Sequence, residues 1–317
     1  MTKPKTKTEI ESTRVAIIGA GSVGSTVAFA LMIQGLASEI VLIDRNQTKA
    51  QGEARDLEQG LSFVPRTKVW AGDYKDCLTA DVVVITAGIA QKPGQTRLEL
   101  AGTNSKIVAE VTKNITQYTK KAIILVVTNP LDVTTYIAIK AAKLKKGQVF
   151  GSGTTLDSSR FRFYLAQKTG LDPESVGAYL LGEHGDSSVP VYSHANIMGE
   201  PITGMTGYSK KIALAAYQTA RNAAAEVIKK KGATYYAIAL AVTRIVRAVI
   251  YDENHVFPVS TLLTGEYGLN DVCLSVPAVV GRTGVKKILK VKLSREENKE
   301  LKKSGQVIKK TIVTVNK

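Results

Sequence analysis

The sequence predicts an α/β protein: a doubly wound parallel sheet over residues 1–150, followed by an α+β unit over residues 151–317. Three observations carry this. Residues 15–18, 40–43, 82–85 and 123–127 are continuous, largely β-branched runs, the pattern of strands covered on both faces of a parallel sheet. A glycine-rich turn, Gly19 to Gly24, joins the first run to a helical segment. After about Phe150 the texture changes to long helical stretches and short alternating strands.

In order along the chain, the first strand candidate leads through the turn into a helix from Ser25 to Gln34, stopped by Gly35. Repeated β–α–β units imply right-handed crossovers and a ligand crevice at the carboxyl ends of the strands. The second half carries helix candidates at Ser158–Lys168, Ser209–Lys231 and Thr234–Tyr251. Strand candidates follow at Val256–Leu263, Asp271–Val280 and Ile288–Leu293, then a charged helix from Ser294 to about Lys310. No Gly-, Ser- or Pro-rich linker separates the halves, which predicts a shared interface with the active site in it.

The formal charge of +16 comes from dispersed lysines. Short clusters stand at Lys143–Lys146, Lys229–Lys231, Lys286–Lys287 and Lys302–Lys303. The first three sit where amphipathic segments are expected to end, and cations favour helix C-termini. A nucleic-acid binder would gather its cations on one face with motif support, so the expectation is a solvated surface that attracts anionic substrates and no nucleic-acid partner. No apolar run reaches the roughly 18–20 residues needed to span a bilayer, and the first nine residues lack the apolar stretch of a secretion signal. Cys77 and Cys273 stand in no metal-type spacing, which fits reduced structural thiols, no metal and a cytoplasmic setting.

Gly19-Ala20-Gly21-Ser22-Val23-Gly24 lies between a strand and a helix, the context that makes G-x-G-x-x-G informative. Gly19 permits the tight turn, Gly21 lets a pyrophosphate approach the backbone, and Gly24 lets helix and strand pack closely. Asp44 follows Gly24 by 20 residues at the end of the second strand, where a carboxylate bonds ribose hydroxyls and repels a 2′-phosphate. These features predict a Rossmann domain with NAD as the cofactor; Arg45, next to Asp44, works against that exclusion.

His184 lies in Gly182-Glu183-His184-Gly185-Asp186-Ser187 and is one of only three histidines. Its unperturbed pKa near neutrality suits proton transfer at working pH. Upstream, Asp157 and Arg160 lie about 60° apart on one helix face, whereas Arg162 lies about 160° round from Arg160. Asp157 then orients His184, and Arg160 grips a substrate carboxylate through two parallel hydrogen bonds. A bland alternative is a capping Asp in an i,i+3 ion pair. The stretch Gly88 to Arg97 follows a buried strand and contains Gly, Pro and Gly. It reads as a lid that delivers Arg97 on closure, or else as an exposed loop with a solvated Arg. Asn129 ends the next strand, placed to donate a hydrogen bond.

With these residues in place, the chain resembles the lactate/malate dehydrogenase family from about Arg14 to the final helix. The markers are GAGSVG, AGIAQKPGQTRLEL, TNPLD, GSGTTLDSSRFR, GEHGDSS and KGATYY. The resemblance implies His184 as proton donor and acceptor, Asp157 as its partner, Arg160 as carboxylate anchor and Arg97 as the residue polarising the carbonyl. It implies Asn129 and Thr234 lining the substrate site. It also implies Val23, Asp44, Lys49 and Tyr74 around the dinucleotide, with Gly88 and Asn129 assigned there too, and a homotetramer.

Within the family the lid residue at Gln91 selects the substrate. Malate enzymes place Arg there, whereas neutral Gln91 would leave a second carboxylate unpaired at a cost of several kcal/mol. The expected substrate pair is therefore pyruvate and L-lactate, with malate or a broader 2-hydroxyacid as the alternative. Members activated by fructose 1,6-bisphosphate pair an Arg matching Arg162 with a His at the position of Gly177, so half of that phosphate site is absent. Two rivals from other classes are an NAD-dependent glycosidase, which needs Cys and His metal ligands, and a basic NAD-binding module for nucleic acid.

Overall fold

The structure, a computed structural model, describes residues 13–90, 96–205 and 207–315. Its first part alternates β1 (Arg14–Ile18), α1 (Ser22–Ile33), β2 (Glu39–Ile43), α2 (Gln47–Gln59), β3 (Lys68–Ala71), β4 (Val82–Ile85), α3 (Arg97–Tyr118), β5 (Ile123–Val126), α4 (Leu131–Ala142) and β6 (Val149–Gly151). These six strands are parallel and lie in the order β6-β5-β4-β1-β2-β3. The order reverses between β1 and β4, which opens a crevice at their carboxyl ends.

Ala16, Ile18, Val41, Ile43, Val83 and Ile85 enter one buried apolar cluster; Val15, Ile17, Leu42 and Val84 enter another. Successive residues of a strand point to opposite faces, so burial on both sides requires the continuous β-branched runs of β1, β2, β4 and β5. β3 and β6 were not anticipated. β3 is an edge strand with only Val69 buried, and β6 has three residues ending in glycine, so neither writes a continuous apolar run.

The later elements are α5 (Thr155–Thr169), the two-residue strands β7 (Val176–Gly177), β8 (Leu180–Leu181), β9 (Val189–Pro190), β10 (Asn196–Ile197) and β11 (Glu200–Pro201), then α6 (Lys210–Lys231) and α7 (Tyr236–Ile250). β12 (His255–Thr264), β13 (Asn270–Gly281) and β14 (Gly284–Ile288) form an antiparallel meander, and α8 (Arg295–Val315) ends the described chain. The meander joins the parallel sheet through Ser260 opposite Gly151, giving one nine-stranded sheet. The two halves of the chain thus share a sheet as well as an interface, and the boundary predicted near residue 150 falls in β6.

Two expectations are corrected. The third late strand is Gly284–Ile288, not Ile288–Leu293, because Gly281 pairs with Gly284 across a two-residue turn and sets the start of the return strand. Gly284 has φ +83, a conformation glycine adopts without strain. Val291 and Leu293 still pack against an apolar cluster, but as coil. Lys286 and Lys287 accordingly lie in β14 and not at a helix end, and Lys286 pairs with Asp252. Among the described residues no helix is long and apolar enough to cross a membrane.

Candidate active site

The carboxyl end of β1 runs into the glycine turn. Gly19 has φ +108 and donates its N–H to the Ile43 carbonyl at 2.7 Å. Thr86, just past β4, donates its hydroxyl to the Gly19 carbonyl at 2.8 Å, so the turn is held from the ends of β2 and β4, the strands on either side of β1. A Cβ on Gly24 would stand 1.9 Å from the Gly19 oxygen, whereas one on Gly21 would meet nothing within 4 Å. Gly24 is therefore dictated by packing, and Gly21 faces open space in which a phosphate fits. No side chain caps α1, and its first turn has no acidic residue. Its N–H groups and positive dipole end are thus available to an anion.

Asp44 is half-buried at the end of β2. Its carboxylate accepts the Ala20 N–H at 2.7 Å and the Asn46 N–H at 2.8 Å, clamping the glycine turn. Val23 is half-buried on the first turn of α1, and Lys49 is exposed on the first turn of α2. Tyr74 packs partly against the cluster beneath β2, and burial raises its hydroxyl pKa. Gly88 is exposed, with no room for a Cβ beside the Thr128 methyl at 2.7 Å. These residues fit a dinucleotide whose pyrophosphate lies on the α1 N-terminus.

A hydrogen-bonded path leads from this crevice toward His184. Thr128 donates to the Ala87 carbonyl at 2.8 Å, and the Asn104 amide donates to the carbonyls of Ile89 at 3.1 Å and Asn129 at 2.7 Å. Asn129 precedes a cis peptide to Pro130, and Asp132 follows in the first turn of α4. Its buried carboxylate accepts the backbone N–H of His184 at 2.7 Å and the Ser260 hydroxyl at 2.6 Å.

The histidine turn is pinned by several elements. Gly182 and Ser275 exchange two backbone hydrogen bonds of 2.9 Å, and the Glu183 N–H donates to the Ser304 hydroxyl of α8 at 2.8 Å. The His184 imidazole Nδ1 then lies 2.5 Å from Asp157 Oδ2, and Arg160 Nη1 donates to Asp157 Oδ1 at 3.2 Å. Asp157 and Arg160 thus form the i,i+3 ion pair of the bland reading, but no side chain caps α5, and the same carboxylate also contacts the histidine. The Arg160, Asp157 and His184 side chains are only 13%, 14% and 21% exposed, which strengthens their mutual attraction.

Burial alone would raise the Asp157 pKa, but the charges and hydrogen bonds of His184 and Arg160 outweigh it and hold the carboxyl below its ordinary value. Burial would strip the proton from His184, yet Asp157, with help from Asp132, outweighs that and raises its pKa. The imidazole is thus biased toward its protonated form, with Nδ1 on Asp157.

The other histidines are engaged elsewhere. His194 Nε2 lies 2.7 Å from the Lys292 carbonyl. His255 accepts from Arg244 at 3.2 Å, and burial with the charges of Arg244 and Arg162 lowers its pKa. Arg162 accordingly acts on His255, away from the Asp157 pocket. Thr234 is half-buried between α6 and α7, and no described hydrogen bond joins it to His184 or Arg160. Gly177 lies in β7, where a Cβ would come within 2.7 Å of the Asn196 amide. Gln91 lies outside the described residues. Arg97 opens α3 behind a Thr96 capping box, and its side chain also lies outside them. A cavity of about 440 Å³ lies nearby between Ser188, Tyr217, Arg221 and Glu297, but none of His184, Asp157 or Arg160 lines it.

Sequence reasoning missed Asp132, Ser260, Ser275 and Ser304 as supports of the histidine turn. Nothing local marks them, because each acts across a long chain separation.

Residues 13–151 match the lactate/malate dehydrogenase NAD binding domain, and residues 154–317 match that family's alpha/beta C-terminal domain. The chain is 46% identical over 312 residues to an L-lactate dehydrogenase of Acetivibrio thermocellus, covering 96% of this chain and 97% of that one. It is 46% identical over 310 residues to L-lactate dehydrogenase 1 of Clostridium acetobutylicum, covering 96% and 99%. The solved structure of a minor L-lactate dehydrogenase from Enterococcus mundtii superposes with a TM-score of 0.93 at 41% identity, over 96% of this chain and 98% of that one. A lactate dehydrogenase from a deep-sea metagenome superposes equally well, with a TM-score of 0.93 at 41% identity over 96% and 99%. The glycine turn at a topological switch point, the Asp157–His184 pair and these matches agree: the chain belongs to the lactate/malate dehydrogenase family, as an NAD-binding oxidoreductase.

Proposed function

We infer that this chain catalyses the reversible reduction of pyruvate to L-lactate. The observation that carries the reading is the His184–Asp157–Arg160 arrangement, a proton carrier and a carboxylate anchor joined through one buried aspartate. Bound NADH supplies the hydride to the carbonyl carbon. Arg160 offers the rest of its guanidinium fork to the substrate carboxylate, which orients the carbonyl toward His184. His184 donates its Nε2 proton to the oxygen as negative charge develops there, and Asp157 stabilises the imidazolium beforehand. Arg97, brought in from the lid, stabilises the same oxygen, a contribution of about 2.7–4 kcal/mol for comparable donors. In the reverse direction His184 accepts the hydroxyl proton of lactate.

Residues 1–150 serve as the dinucleotide-binding unit and residues 151–317 as the catalytic unit in this reading. Asn129 and Thr234 complete the substrate pocket. The expected assembly is a homotetramer in the cytoplasm. The rival glycosidase reading asks for cysteine ligands. Both cysteines instead lie buried, Cys77 with its thiol pushed up to about 12 by burial and nearby carboxylates.

The decisive assay is NADH oxidation with pyruvate and with oxaloacetate, side by side. Pyruvate is expected to give the higher kcat/KM, because neutral Gln91 leaves the second carboxylate of oxaloacetate unpaired. Gln91→Arg is expected to move the preference toward oxaloacetate. Equal or greater kcat/KM for oxaloacetate in the unaltered chain sinks the pyruvate reading.

A second expectation concerns the cofactor. Asp44 faces the adenosine ribose with a carboxylate, so NADPH should give a much lower kcat/KM than NADH. Comparable values would mean that Arg45 overrides Asp44.

A further inference from the structure

We propose that Asp132 is a positioning residue of the acid/base centre, a second carboxylate that fixes the His184 backbone and helps hold the proton on its imidazole. The proposal rests on the reading of His184 as the proton carrier.

Asp132 is 1% exposed, and its two carboxylate oxygens are committed in two directions. One accepts the N–H of His184 itself at 2.7 Å, and the other accepts the Ser260 hydroxyl from β12 at 2.6 Å. A buried carboxylate placed only for fold stability is a costly choice, since an ionised group taken out of water needs strong compensation. Here both donors point at it, and one of them is the backbone of the residue that carries the imidazole.

The surrounding charges set its electrostatic role. The histidine turn contributes His184, which favours the Asp132 anion, and Glu183, which opposes it; β13 contributes Cys273, whose thiol is raised by burial and by Asp132. From α5, Asp157 raises the His184 pKa and Arg160 lowers it, while Asp132 adds to the raising side. Burial pushes the Asp132 carboxyl up to about 7 against the hydrogen bonds from Ser260 and His184. The sign follows. Above that value Asp132 is anionic, and an anion beside the histidine favours its protonated form. Its charge therefore carries the activity to higher pH.

Asp132→Asn separates charge from shape. The amide oxygen still accepts the His184 N–H, and the amide nitrogen donates to Ser260, whose hydroxyl rotates to accept. The chain has three histidines, so their ¹³Cε1 resonances are separable in the full-length labelled protein, and the His184 signal is identified by its loss in His184→Asn. The expected result is a fall of about 0.5–1 unit in the His184 midpoint in Asp132→Asn, at the low end of the 1–3 units typical of a close charge pair or just below it. The alkaline limb of pyruvate kcat/KM should move down with it. Asp132→Ala should show the same fall with an added loss in kcat, and serves in its place if the amide variant does not fold.

A His184 midpoint unchanged in a folded neutral variant, whatever happens to kcat, overturns the proposal and leaves Asp132 a purely structural support. Because the titration is read by NMR, it stands apart from the substrate assignment: a wild type inactive on pyruvate would sink the proposed function while the midpoint shift still judges Asp132.

Discussion

Replacing His184 by alanine is expected to lower kcat for pyruvate reduction by about 10²–10⁴-fold, the usual contribution of a positioned general acid. NADH binding should stay close to that of the unaltered chain. The two effects separate because the two ends of the site are built from different contacts. The glycine turn is held by Ile43, Thr86 and Asp44, none of which touches the imidazole. Among the described residues, His184 is held by Asp157 on its ring and by Asp132 on its backbone. A backbone hydrogen bond survives substitution by alanine, so the turn should keep its path while the proton carrier is lost. Steady-state kinetics at saturating NADH give kcat, and quenching of protein fluorescence gives the NADH Kd. If His184→Ala keeps near-normal turnover, the acid/base role passes to His194 or His255. Each would then have to leave a contact it makes in this structure, with the Lys292 carbonyl or with Arg244.

The parts of the fold that were legible in the sequence are those where one physical constraint acts on consecutive residues. Burial on both faces writes β1, β2, β4 and β5 as continuous apolar runs, and their observed bounds depart from the expected ones by no more than a residue. The helical period writes Asp157 and Arg160 onto one face, and the structure joins them in an ion pair at 3.2 Å. The strap between them and His184 was legible only as chemistry, since a histidine in a glycine-flanked turn asks for a carboxylate partner. What stayed hidden depends on contacts between distant residues. Asp132 stands in the TNPLD segment without a local mark of this role, and only the fold brings it to the N–H of His184, 52 positions away. Ser304 lies on the terminal helix read only as charged, yet it is fully buried and holds Glu183. β14 was displaced because alternation in Ile288, Val291 and Leu293 reports apolar packing, whereas the strand itself is set by the turn between Gly281 and Gly284.

Arg160→Lys is expected to raise the pyruvate KM strongly with a smaller change in kcat, so that kcat/KM falls by about 10–150-fold. That range corresponds to losing one charge-assisted hydrogen bond of about 1.5–3 kcal/mol. A guanidinium presents a planar fork that matches both oxygens of a carboxylate, whereas an ammonium is a point charge on a flexible stem. The structure sharpens the contrast, because Arg160 already spends one nitrogen on Asp157 Oδ1. The guanidinium can bridge Asp157 and a substrate carboxylate at the same time with its orientation fixed by the first. A lysine would have to divide one ammonium between the two. The charge itself is retained, so Asp157 keeps a cationic neighbour and His184 keeps its raised pKa, and the pH profile should hardly move. The pattern that checks this is a KM-dominated loss with an unshifted alkaline limb and an unchanged KM for NADH. A loss confined to kcat, or a limb displaced as in Asp132→Asn, would show that Arg160 acts through His184 and not as the carboxylate anchor.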